Sequence, residues 1–190
     1  MTIDGQRSGL DSGLDSVTDS ERRPLRPIGA SVHDVATRTG RLLGGLAGMP
    51  GVRVFEGVRP VGFELPAIPH AVSSGSDLLL VDSVAWPPGS YALDADGGVR
   101  CDGVYIGQSI HPLLATVRRL RRVARSRRRI AAVVIVHPGA SGPLTLPERT
   151  PAEVTLLHAA EAVRRIRLQL RRGRPTARSA RRLDADLMST

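Results

Sequence analysis

The fold of this chain is decided by the run Leu78-Leu79-Leu80-Val81, which is the clearest strand in the sequence. The turn-like residues Ser73-Ser74-Gly75-Ser76 precede it. Because successive side chains of a strand point to opposite faces, a run that is apolar throughout predicts a strand buried on both faces. Such a strand belongs in the middle of a sheet that helices cover on both sides.

A second run of this kind, Ala131–Val136, follows about 50 residues later and also predicts a buried strand. A helix is predicted between the two strands, from about His111 to Arg127. Its apolar stripe consists of Leu113, Leu114, Val117, Leu120 and either Val123 or Ala124. Strands predominate before this helix, and two strands and a helix are predicted after it. This order of elements predicts an α/β fold, a mixed β-sheet flanked by helices.

The first helix is predicted to begin at Ser31, which can cap it with Asp34 at the third helical position. A strand is predicted at Val52–Phe55, followed by an irregular stretch rich in Pro and Gly over residues 57–69. Further on, Tyr91–Leu93 and Val99–Cys101 flank a turn sequence and predict a hairpin.

The end of the domain allows two interpretations. Val154–Leu157 is rich in β-forming residues, which favours a strand followed by a helix over Ala159–Arg172. The alternative is one helix that begins at Thr150, because Thr150-Pro151-Ala152-Glu153 is a capping box. We expect the strand followed by the helix.

The chain divides into one domain with two tails. Residues 1–28 are polar and repetitive and predict a disordered N-terminal tail, residues 29–172 an α/β domain, and residues 173–190 a flexible basic tail. The sequence has no apolar run long enough for a membrane span, no apolar segment typical of a secretory signal, and only one cysteine, Cys101. We therefore expect a cytoplasmic protein without a membrane partner.

The charge is concentrated in the second half. All 27 basic residues are arginine, the net charge is +9, and residues 113–190 contain eighteen arginines against five acids. This asymmetry predicts contact with a polyanion such as nucleic acid, the alternative being a solvated helix face and a solubilising tail. The candidate phosphate-binding residues are Arg118, Arg119, Arg121, Arg122, Arg125, Arg128, Arg129, Arg171 and Arg172.

Several kinds of functional site are not predicted. A phosphate-binding P-loop needs a lysine, and the chain has none. The five histidines are scattered and accompanied by a single cysteine, so no metal site is predicted. One Trp, two Tyr and two Phe are too few for a base-stacking platform. No set of catalytic residues is complete.

One part of the chain resembles a known family. The order Gly45–Pro50, Val52–Phe55, Ile68-Pro69-His70 and Leu79–Trp86, continuing to Gly89-Ser90-Tyr91, is similar to the nuclease-related domain (NERD) family. This family belongs to the PD-(D/E)XK nuclease-like superfamily. The resemblance covers roughly residues 31–170 and is strongest from Val81 to Tyr91. It implies a core like that of restriction endonucleases.

The resemblance also implies Mg²⁺-dependent cleavage of phosphodiesters and the loss of that activity in this chain. Nucleases of this kind hold Mg²⁺ with an acid from one strand and an acid from the next, and a lysine follows the second acid by two residues. Here Asp82 matches the second acid, whereas Val84 stands at the lysine position and Pro69 at the first acid. A substitute carboxylate from Glu64 or Asp77 is the remaining route to an active site.

Three residues of this region allow both a functional and a structural interpretation. Asp82 is either a residual metal ligand or a buried carboxylate that bonds to the following loop. Gln108 either keeps an orienting role or forms a hydrogen bond where the basic helix begins. Trp86 is either a base-stacking residue or part of the core, and we expect the core.

From these residues we predict a catalytically degenerate nuclease-related protein that associates nonspecifically with nucleic acid and needs no cofactor. The alternatives are an active nuclease with a rearranged site, for which Mg²⁺ would be the cofactor, and a non-enzymatic protein-interaction domain.

Overall fold

A computed structural model describes residues 23–59, 67–124 and 129–170 of the chain. These residues form ten strands and three helices. In chain order they are β1 (Arg23–Pro24), α1 (Val32–Ala47), β2 (Val52–Val58), β3 (Ile68–Ser74), β4 (Asp77–Trp86), β5 (Gly89–Leu93), β6 (Gly98–Cys101), β7 (Val104–Ser109), α2 (His111–Val123), β8 (Arg129–Pro138), β9 (Leu144–Thr145), β10 (Val154–His158) and α3 (Ala159–Leu170).

The main sheet has the strand order β10-β8-β4-β3-β2. Its centre is the parallel pair of β4 and β8, which are aligned along their full length, from Asp77 beside Arg129 to Trp86 beside Pro138. Strand β10 is parallel to β8, whereas β3 and β2 continue the sheet in antiparallel fashion. The sheet is therefore mixed, and the two apolar runs of the sequence form its central strands.

Helices cover both faces of this sheet, as the double-sided apolar pattern of β4 predicts. On one face, α1 and α3 pack on Leu79 and Val81. On the other face, α2 packs on a cluster that includes Leu78 and Leu80. All four of these β4 side chains are buried. The prediction of an α/β fold with a mixed sheet flanked by helices is confirmed.

A second mixed sheet, with the order β1-β7-β6-β5-β9, packs where β4 ends. Trp86 stacks on Tyr91 of this sheet with a centroid distance of 4.4 Å. The Ile28 N–H, just after β1, donates to the carbonyl oxygen of Ala85 at 2.7 Å. The sequence predicted only the hairpin of this sheet, which is confirmed as β5 and β6.

Other boundaries differ from the predictions. Strands β3 and β7 were not predicted, and β4 extends to ten residues. β1 lies within the segment that was expected to be a tail. The chain forms β10 and then α3, so the single helix from Thr150 is wrong. None of the helices in the described ranges is long and apolar enough to cross a membrane.

Candidate functional site

Asp82, the candidate residual metal ligand, lies on β4 in an apolar part of the main sheet. By the alternation along β4 it shares a face with Leu80 and Val84, and Val134 stands beside it on β8. These three neighbours are completely buried. Asp82 itself is half-buried, and its Oδ1 accepts a hydrogen bond of 2.8 Å from the Ser83 N–H. The local structure is that of a single carboxylate among hydrocarbon side chains.

The electrostatics of Asp82 follow from this setting. Burial disfavours the charged form and raises the pKa of the carboxyl from 3.8 to about 6. The hydrogen bond from the Ser83 N–H favours the charged form and lowers the pKa by a smaller amount. A bound divalent cation needs its carboxylate ionised and several more oxygen ligands. The side chain of Val84, two residues further along β4, is fully buried and supplies neither charge nor oxygen.

The substitute acids were Asp77 and Glu64. Asp77 is five positions from Asp82 on β4, so the two carboxyls point to opposite faces of the sheet and lie roughly 16 Å apart along the strand. They cannot share an ion, and the proposal that Asp77 completes the site is wrong. Glu64 lies outside the described residues. Within the parts of the chain that the structure describes, no group of three His, Cys, Asp or Glu side chains could hold a metal ion.

Gln108 is placed in the second sheet rather than beside Asp82. It is a buried residue of β7, and its Oε1 accepts a hydrogen bond of 3.0 Å from the Arg26 N–H. This bond joins the segment after β1 to β7. The geometry therefore supports a structural hydrogen bond for Gln108, although one between sheet segments and not at the start of the helix.

Trp86 belongs to the core. Its side chain is fully buried, and its ring is nearly parallel to that of Tyr91, with an angle of 14° between the planes. The Tyr91 hydroxyl donates to the Pro87 carbonyl oxygen at 3.0 Å and fixes the partner ring. A ring enclosed in this way offers no face to a nucleic-acid base.

The arginines of α2 are exposed, as the helical pattern predicts. Arg118, Arg119, Arg121 and Arg122 lie on the side of the helix away from the core. Two of them are held by Glu153, which lies 3.5 Å from Arg118 Nε and 3.8 Å from an Arg121 terminal nitrogen. Arg121 also donates through Nε to the Ile130 carbonyl oxygen at 2.7 Å. The guanidinium of Arg121 is thus fixed in position while part of it faces solvent.

These arginines gather at one edge of the main sheet. Helix α2 precedes β8 and helix α3 follows β10, and the C-terminal residues of both helices lie near the residues where β4 and β8 begin. One cavity is accordingly lined by Arg121 of α2, Leu170 of α3, Asp77 and Arg129. We call this region, with Arg118, Arg119, Arg121, Arg122 and Arg129, the basic edge.

The remaining candidate arginines are sequence neighbours of the elements that form the basic edge. Arg125 and Arg128 stand between α2 and β8, and Arg171 and Arg172 follow α3 directly in the sequence. These four residues lie outside the described residues. Two acids of the described residues lie beside the basic edge: Glu153, and Asp77, which is buried.

Two features of possible functional interest were not predicted from the sequence. The first is the cavity at the basic edge, which has a volume of about 280 Å³. The sequence singled out Asp77 only as a substitute metal ligand. The sequence does show that Asp77 directly precedes the apolar run of β4. That this residue lines a cavity follows only from the pairing of β4 with β8.

The second feature is a pair of buried histidines beneath α1. His137 Nε2 lies 2.8 Å from the Thr39 hydroxyl, and burial lowers the pKa of His137. His70 Nδ1 is buried without a hydrogen-bond partner among the described residues. Burial lowers the pKa of His70, and the nearby charge of Glu56 raises it by a smaller amount. A Cβ at Gly40 would lie 3.1 Å from His70 Nε2, so this glycine lets α1 approach the sheet. His137 is thus satisfied within the fold by its bond to α1.

The chain was compared with known protein families, curated proteins and solved structures, and none of the three comparisons found a match.

Proposed function

We propose that this protein is a catalytically degenerate nuclease-related domain that associates nonspecifically with nucleic acid through its basic edge. The proposal includes a restriction-endonuclease-like core, a cytoplasmic location and no bound cofactor. The observation that carries it is the convergence of the arginine-bearing ends of α2 and β8 at one edge of the main sheet, where the cavity is also lined by the end of α3.

The geometry of the basic edge suits phosphate. Guanidinium groups donate in a planar fork that matches phosphate oxygens, and they keep their charge at any physiological pH. Arg119 and Arg122 are exposed on α2, and Arg129 is exposed at the start of β8. Since a binding surface for the phosphate backbone needs spacing and charge rather than base contacts, these residues predict affinity without sequence preference.

The loss of catalysis is supported by the surroundings of Asp82. Hydrolysis of a phosphodiester with Mg²⁺ requires several oxygen ligands around the ion and a positive group near the attacked phosphate. Asp82 has apolar neighbours on its face of the sheet, Val84 stands at the lysine position, and Asp77 points to the other face. A site with one carboxylate of raised pKa is a poor host for such an ion.

A binding titration tests the proposal. A fluorescently labelled duplex and a single strand of the same length are titrated with the protein at several salt concentrations, with and without Mg²⁺. If about six phosphates are engaged, the logarithm of affinity falls against the logarithm of salt concentration with a slope near −5. Affinity should then drop about 10³-fold between about 50 and 200 mM salt, and Mg²⁺ should add only its ordinary screening.

Two results would contradict the proposal. Absence of binding at the lowest salt concentration, or binding that does not respond to salt, would exclude a phosphate-binding edge. Nicking of supercoiled plasmid that needs Mg²⁺ and disappears in Asp82→Ala would show an active nuclease and exclude a degenerate one.

A further inference from the structure

The proposed function uses the exposed arginines of the basic edge but not the interior of the cavity beside them. The cavity has a volume of about 280 Å³ and lies where β4 and β8 begin. Its polar lining is Asp77, Arg121, Arg129 and Gln169. The remaining wall is apolar, with Leu79 and Ile130 among its members. Apolar walls with a few converging polar groups are typical of small-ligand sites.

Asp77 is the unusual residue of this lining. It is only 5% exposed, and its Oδ1 is buried without a hydrogen-bond partner in the described part of the chain. Burial raises the pKa of its carboxyl, and the neighbouring charge of Arg129 acts in the opposite direction. A buried acceptor without a donor destabilises the protein, so a ligand that brings a donor to Asp77 would gain binding energy there.

The size of the cavity limits the ligand. A volume of about 280 Å³ lies just below the usual range for drug-sized ligands and suffices for one fused ring system. A whole nucleotide would extend beyond it. Arg129 lines the cavity and is exposed, so its guanidinium is available to the phosphate of such a nucleotide.

We propose that this cavity binds a guanine base, either of a free nucleotide or of an unpaired position in a nucleic-acid strand; the strand form rests on the proposed function. A carboxylate offers two parallel acceptors. Guanine presents two adjacent donors, its N1–H and its 2-amino group, whereas adenine and cytosine each present one amino group beside an acceptor. The carboxylate of Asp77 therefore fits guanine better than the other common bases.

The other polar groups of the cavity suit the rest of the base. Guanine carries the acceptors O6 and N7, whose commonest protein partner is arginine. Arg121 is held in place by its bonds to the Ile130 carbonyl and to Glu153, so its guanidinium is ordered before a ligand arrives. Gln169 adds an amide with both a donor and an acceptor.

The experiment is a calorimetric titration of the full chain with GMP, IMP and AMP at one salt concentration. The three nucleotides carry the same phosphate, so the arginines alone cannot distinguish them. We expect GMP to bind about tenfold or more tightly than AMP. IMP lacks the 2-amino group and should lose a large part of this advantage.

The protein side of the test uses Asp77→Asn, which keeps the size of the side chain but replaces one acceptor with a donor. This variant should lose at least about tenfold in GMP affinity and change little toward AMP. Asp82→Asn, on the opposite face of the same strand, is the matched control and should bind all three nucleotides like the wild type. If Asp77→Asn does not fold, the comparison of GMP with IMP on the wild-type chain decides the question.

Equal affinity for GMP, IMP and AMP, no binding of GMP, or GMP affinity that is unchanged in a folded Asp77→Asn variant would overturn the inference. The result is separable from that of the proposed function. Salt-dependent duplex binding without a preference for GMP would contradict only the guanine site, and preference for GMP without duplex binding would contradict only the nucleic-acid proposal.

Discussion

The two ends of the paired strands β4 and β8 differ in charge and in packing. At the end where the strands begin, Asp77 and Arg129 stand side by side and line an open cavity next to the arginines of α2. At the end where they finish, Trp86 is fully buried against Tyr91 of the second sheet. One end is therefore charged and accessible, and the other is apolar and covered.

This difference bears on where the proposed binding site lies. The proposed relation to nucleases directs attention to Asp82, which lies between the two ends with apolar neighbours on its face. The arginines of the basic edge lie instead where the strands begin, because helices that run back against parallel strands end there. The proposed phosphate binding is therefore assigned to the basic edge and does not depend on Asp82.

The largest effect is expected for Trp86→Ala, which tests whether the covered end is structural. Removal of a fully buried tryptophan ring should cost about 3–5 kcal/mol of unfolding free energy, measured by urea denaturation. Trp86→Phe retains an aromatic ring against Tyr91 and should cost less. Loss of nucleic-acid binding in a Trp86→Ala protein of unchanged stability would show instead that the ring stacks on bases.

A smaller effect of opposite sign is expected for Asp82→Asn. Because the native pKa of Asp82 is about 6 and that of the free carboxyl is 3.8, the native state binds the proton more strongly than the unfolded state does. The contribution of this group to stability is therefore greatest below about pH 4 and falls as the pH rises to about 6.

Replacement with asparagine removes this cost, so Asp82→Asn should be more stable than the wild type by about 1–3 kcal/mol at pH 8 and nearly equal to it at pH 4. Urea denaturation at both pH values measures the difference. Mg²⁺ should not stabilise either protein. Stabilisation of the wild type alone by Mg²⁺ would mean that Asp82 holds an ion after all.

The smallest effect is expected for Glu153→Gln at the charged end. Glu153 lies 3.5 and 3.8 Å from the guanidinium groups of Arg118 and Arg121, and its replacement removes a negative charge that competes with phosphate for both. Exposed pairs of this kind contribute about 0.2–1 kcal/mol, so duplex affinity at low salt should rise by about 1.4- to 5-fold.

The control is Glu161→Gln. Glu161 lies in the first turn of α3 and pairs with Arg164 and Arg165, so its replacement should leave duplex affinity unchanged. Equal gains in both variants would show that the effect depends on net charge and not on the basic edge.

The elements with a strong apolar pattern were predictable from the sequence. β4 and β8 are continuous apolar runs, and the stripe of α2 repeats at helical spacing, so each was recognised from its own residues. β3 was missed because Pro69 and the pair Ser73-Ser74 are typical of turns, yet both serines are buried in the sheet. β7 was missed because Gly107, with a φ of +71°, interrupts the alternation of a short strand.

The candidate site was less predictable, since it depends on contacts between distant parts of the chain. The arginines of α2 could be named from their exposed helical pattern. Their position beside Asp77 follows only from the register of β4 on β8, which joins residues 52 positions apart, Asp77 and Arg129. That Asp77 and Asp82 point to opposite faces could have been inferred from their odd spacing, once β4 was known to be one uninterrupted strand.

The salt dependence of duplex binding in two matched double variants tests the central claim most directly. Arg119→Gln/Arg122→Gln removes two exposed charges from the basic edge, and Arg26→Gln/Arg38→Gln removes two exposed charges near the other end of the strands. The first pair should make the slope of log affinity against log salt less steep by about 2, and the second pair should leave it near the wild-type value. Equal changes in the two variants, or no change in the first, would contradict the assignment of phosphate binding to the basic edge.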